Sequence, residues 1–76
     1  MPVKRTLKEL ERLTNEVRQL CSDHDGIHNL HGALANLDGW VRFAKEAGLK
    51  VVDWDNVDLM VTRSRIAAQT GFWPKS

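Results

Sequence analysis

Seventy-six residues leave room for one small domain. A formal net charge of +1, from 11 basic and 10 acidic residues, does not suit a chain that coats nucleic acid by bulk charge. The single cysteine, Cys21, excludes an intrachain disulfide and fits a reduced, cytoplasmic setting, and no apolar run reaches the length of a membrane span.

Residues 1–5 read as a loose basic end, without the apolar core of a signal peptide. Thr6 and Glu9 have the spacing of a capping box, in which each side chain serves the other's backbone N–H. Leu7, Leu10, Leu13, Val17 and Leu20 then recur in steps of three and four, which is one apolar stripe of a helix. Lys8, Glu11, Arg12, Asn15, Arg18 and Gln19 make its polar side. This predicts a first helix over about 7–21.

Ser22-Asp23-His24-Asp25-Gly26 is rich in turn formers and predicts a break, so the next helix folds back as an antiparallel hairpin. The rival is one continuous helix through Gly26, where glycine costs only about 1 kcal/mol. A second helix is expected over 26–47. Ile27, Leu30, Leu34, Leu37, Val41 and Ala44 form its stripe, Asp25 is placed to cap it, and Gly48 to end it. Trp40, Phe43 and Ala47 widen its apolar surface. Arg42 is four residues from both Asp38 and Glu46, an expected run of charges on the solvated side. Gly32, Ala35 and Gly39 form a row of small residues that would permit close approach of another backbone.

Leu49-Lys50-Val51-Val52 reads as a short extended link that drops Leu49 and Val52 into the core. Asp53 or Asp55 caps a third helix over about 56–69, with Asp58 in its first turn. Val57, Met60, Val61, Ser64 and Ala68 make the main face of that helix, and Leu59 and Ile66 lie on its back. Gly71 and Pro74 prevent continuation, and Phe72 and Trp73 are expected to fold back. Residues 74–76 form a second flexible end. The fold class is therefore all-α: an antiparallel helical hairpin plus a third helix, a small three-helix bundle expected to self-associate.

Four groups of residues suggest function. Cys21, His24, His28 and His31 carry zinc-ligand chemistry, and Asp23 and Asp25 are adjacent acceptors. Ligands along one helix cannot surround an ion tetrahedrally, however, and a break at Gly26 removes the alignment. Ser64-Arg65-Ile66-Ala67-Ala68-Gln69-Thr70-Gly71-Phe72 resembles the first helix and turn of a helix-turn-helix, but Trp73-Pro74-Lys75-Ser76 leaves no length for a recognition helix. Lys4, Arg5, Lys8, Arg12 and Arg18, with Arg63 and Arg65, could meet phosphates, although Glu9, Glu11 and Glu16 are interleaved with the first group. The last group is an apolar surplus: Trp40, Phe43, Leu59, Ile66, Phe72 and Trp73. Tryptophan is enriched where interfaces concentrate their binding energy, and this chain has three. Three helices in one layer cannot bury both sides of two of them.

No catalytic set stands out. Ser22, His24 and Asp25 are sequence neighbours, which is poor geometry for a nucleophile, a base and an orienting group. No cofactor is expected, although Trp40 or Trp54 could stack on a small ligand between protomers. The expected function is non-enzymatic binding of another protein, or of a second copy, through Trp40, Phe43, Leu59, Ile66, Phe72 and Trp73. An inhibitor, adaptor or regulator of the kind carried by a phage or other mobile element fits this description. The first rival is a dimeric nucleic-acid-binding regulator using Lys4, Arg5, Lys8, Arg12, Arg63 and Arg65. The second is a metal-binding protein using Cys21, His24 and His28.

Overall fold

The computed structural model describes residues 6–48 and 54–75. They form three helices, α1 (Leu7–Asp23), α2 (His28–Ala47) and α3 (Trp54–Thr70), and no strand occurs among the described residues. α1 packs against both of the others, most extensively against α2. The expected link at Leu49 and Val52, the Asp53 cap, and the loose end containing Lys4 and Arg5 lie outside the described residues.

α1 starts as the capping pattern requires. The Glu9 N–H donates to Thr6 Oγ1 at 3.2 Å, and the Leu10 N–H to the Thr6 carbonyl at 3.0 Å. The second half of the box is diverted, because the Glu9 carboxylate receives two hydrogen bonds from the Arg12 guanidinium. The helix then runs two residues past the expected Cys21. It closes where the His24 N–H reaches the Leu20 carbonyl at 2.9 Å.

The break at Asp25-Gly26 is real, and the hairpin forms there. α2 begins at His28, two residues later than the periodicity suggested, and its N-cap is Ile27, which has no side-chain cap. Asp25 is therefore not the cap. Its backbone carbonyl instead lies 3.0 Å from His31 Nε2, tying the turn to the first turn of α2. Gly48 ends α2 as expected, in the left-handed region at φ 63°, where a Cβ is strained.

The core contains Leu10, Leu13, Val17 and Cys21 from α1, Leu30 and Leu37 from α2, and Trp54, Val57, Val61 and Ala67 from α3. Completely buried leucines such as Leu10, Leu30 and Leu37 each contribute roughly 1.5–3 kcal/mol relative to exposure. α3 begins at Trp54, two residues before the expected start near residue 56, and Trp54 occupies its first turn in line with Val57 and Val61.

Two hydroxyls are buried with this core. Thr14 Oγ1 donates to the Leu10 carbonyl and Ser64 Oγ to the Met60 carbonyl, both at 2.7 Å. Each hydroxyl is satisfied within its own helix, so a small polar side chain can sit in the core without a partner across the interface.

Candidate interaction surface

Three ion pairs tie α1 to its neighbours. Arg18 reaches Asp38 on α2, Lys45 of α2 lies 3.3 Å from Glu11, and Arg65 of α3 grips both carboxylate oxygens of Glu16. They fix the azimuth of each helix: the flank of α2 bearing Asp38 and Lys45 faces α1, as does the flank of α3 bearing Arg65. The expected Asp38–Arg42–Glu46 run therefore loses Asp38 to Arg18 on the neighbouring helix. Hydrogen bonding to Arg65 holds the Glu16 carboxyl below the ordinary carboxylate range, and hydrogen bonding to Arg12 does the same for Glu9.

The six residues of the expected apolar interface divide into two groups. Trp40 and Trp73 are half-buried and pack against the core. Phe43 is 62% exposed, Leu59 40%, Ile66 39% and Phe72 77%. The tail thus folds back through Trp73 but not through Phe72. Leu59 and Ile66 are about two turns apart on the back of α3, opposite the side that buries Val57, Val61 and Ser64. Phe43 belongs to the outer side of α2, and Phe72 lies just beyond the end of α3. The exposed apolar groups are therefore distributed over the outer side of α2, the back of α3 and the tail that follows it.

The small-residue row on α2 also faces outward. Gly32, Ala35 and Gly39 are all exposed, and a Cβ built on either glycine would have nothing within 4 Å. The close approach expected over this row is not made by the described part of the chain. Each glycine still weakens the helix by about 1 kcal/mol relative to alanine.

Arg12 and Arg65, two members of the basic group, are held by Glu9 and Glu16. Lys8 is exposed and Arg63 half-buried. The metal group is dispersed in a similar way. Cys21 is buried in the core, and burial pushes its thiol pKa up. His24 caps α1, while His28 lies exposed beyond the turn. Among the described residues, no group of three or more His, Cys, Asp or Glu side chains is arranged to hold a metal ion.

A shallow groove of about 270 Å³ runs between α1 and α2, from Glu11 and Lys45 past Thr14 and Val41 to Arg18 and Asp38. Its four charges already form two ion pairs, so a polar ligand would first have to displace them. No helix of the described residues is long and apolar enough to cross a membrane. A scan against protein-family models, a search of curated proteins and a search of solved structures each found no match.

The burial of Trp54 was legible as spacing, since Trp54, Val57 and Val61 continue one stripe. The exposure of Gly32 and Gly39 was not, because a small residue suits a tight helix contact and an open surface equally well.

Proposed function

We propose that this chain is a non-enzymatic protein-binding module that docks through the back of α3. The observation carrying this reading is the partial exposure of Leu59 and Ile66, one above the other, on a helix whose opposite side is filled by its own bundle. A leucine or isoleucine alone on a surface is ordinary. Two in register two turns apart form the minimal anchor set by which one helix binds an apolar groove. The fitting partner is another protein with an aliphatic groove, and the chain acts on it as an inhibitor, adaptor or regulator. The nucleic-acid reading draws less support, since Arg12 and Arg65 are already paired with carboxylates.

The test is the double variant Leu59→Asp/Ile66→Asp. It is expected to keep its helical circular dichroism and its melting temperature, and to lose the partner that the wild-type chain retains by crosslinking in the source cell. Captured complexes should resist added salt, because an apolar contact lacks the steep salt dependence of phosphate binding. Unfolding of the double variant would return both residues to the core, and unchanged capture would remove α3 as the docking helix.

A further inference from the structure

The outer side of α2 is a second face, independent of the α3 reading. Its row runs His28, Gly32, Ala35, Gly39, then Arg42 with Phe43 beside it, and Glu46. All of these are exposed. The described chain places nothing against the two glycines, and Phe43 projects 62% exposed from the same side. The row is also complementary to itself when reversed. His28 and Glu46 lie about five turns apart at the same azimuth, and Gly32 and Phe43 about three turns apart at nearly the same azimuth. Both pairs are centred at the level of Leu37.

We propose that α2 pairs antiparallel with α2 of a second copy of this chain, about a two-fold axis level with Leu37. One register then meets three requirements together. Each Phe43 ring enters the gap above Gly32 of the other copy, where the missing Cβ leaves room. Each Glu46 carboxylate comes opposite the His28 imidazole, an N–H donor, so both ends of the contact gain a polar pair of complementary chemistry. Ala35 and Gly39 meet at the centre, where small side chains allow the two backbones close approach. A parallel pair sets His28 against His28 and Glu46 against Glu46, and Phe43 against Phe43 instead of glycine. Reversal of the partner is what the chemistry selects, and the resulting contact is isologous, the usual form of a two-fold dimer. Leu59 and Ile66 take no part in it, so the α3 surface stays open for another protein.

Light scattering and sedimentation equilibrium across a concentration series test this directly. The wild-type chain is expected to shift from its 8.7 kDa monomer mass to twice that value as concentration rises. Gly32→Leu is the decisive variant. Leucine is the better helix former, and its Cβ would meet nothing within 4 Å among the described residues, so the monomer becomes more resistant to heat while the dimer dissociation constant rises by about tenfold or more. Phe43→Ala weakens the dimer in the same sense. His28→Glu chains and Glu46→Lys chains should each remain monomeric alone and form a heterodimer when mixed, because one end regains an opposite-charge pair and the other keeps the native one. Leu59→Asp/Ile66→Asp should dimerise like the wild type, which separates failure here from failure of the α3 reading. A wild-type chain that stays monomeric up to about 1 mM overturns the proposal, as does a dimer indifferent to Gly32→Leu and to the His28 and Glu46 exchange.

Discussion

Ser64 and Leu37 are both completely buried, yet truncating them should have very different effects. Leu37→Ala removes packed methyl groups and leaves a cavity, at an expected cost of about 2–5 kcal/mol. Ser64→Ala removes a hydroxyl bonded to the Met60 carbonyl of its own helix and leaves no partner stranded on another element. Its expected effect is within about 1 kcal/mol. Urea unfolding of the two variants would show the difference, and equal losses would mean that Ser64 makes a contact beyond its own helix. Cys21 supplies a second prediction at this scale. Its thiol is buried and less acidic than an ordinary one, so little of it is thiolate near neutral pH. Alkylation of the native protein should be slow and should accelerate in parallel with unfolding. Rapid labelling of the native protein would show that the α1–α2 turn opens independently of the bundle.

At the scale of elements, the three helices are joined by an apolar core and by ion pairs that converge on α1. These pairs are partly exposed, so each contributes only on the order of 0.5 kcal/mol, and their main effect is to set helix orientation. Glu16 adds a dependence on pH. Its folded-state pKa is depressed by Arg65, so its contribution is present above the ordinary carboxylate pKa. It is lost as pH falls through the lower, folded value. Glu16→Gln is expected to flatten the acid side of the stability profile while leaving stability near neutral pH reduced by about 1 kcal/mol or less. An acid transition unchanged by this variant would assign acid sensitivity to the other carboxylates. The α2 cap shows how a reading at this scale goes astray. Asp25 has a suitable side chain and position, yet the turn places Ile27 at the cap and uses the Asp25 backbone to meet His31.

For the molecule as a whole, α1 contacts both partners and supplies one side of the Arg18–Asp38, Lys45–Glu11 and Arg65–Glu16 ion pairs. The bundle should therefore unfold as a unit. Helical circular dichroism and tryptophan fluorescence report on different regions, since Trp40 and Trp54 sit on α2 and α3 and Trp73 in the tail. Their thermal transitions are expected to coincide at dilute concentration. Separate midpoints would mean that α3 and its tail detach before the α1–α2 hairpin does. A stability on the order of 4–11 kcal/mol is the expected range for a chain of this size, so loss of a single buried leucine removes a large share of it.

The number of helices, their approximate limits, the hairpin and most of the core were determined by the sequence alone, because apolar spacing and turn chemistry are local and periodic. That Phe43, Leu59 and Ile66 have no place in a single-layer core was equally readable, since each lies off the main stripe of its helix. Tertiary structure decided what spacing cannot encode: which half-apolar positions the neighbouring helices cover. It turned Trp40 and Trp73 onto the core and left Phe72 out, drew Thr14 inside, and gave Asp38 to Arg18 instead of Arg42. The physical reason is that a side chain's azimuth follows from its own helix, whereas its burial depends on how neighbouring helices approach, and that is set by the packing of the whole chain.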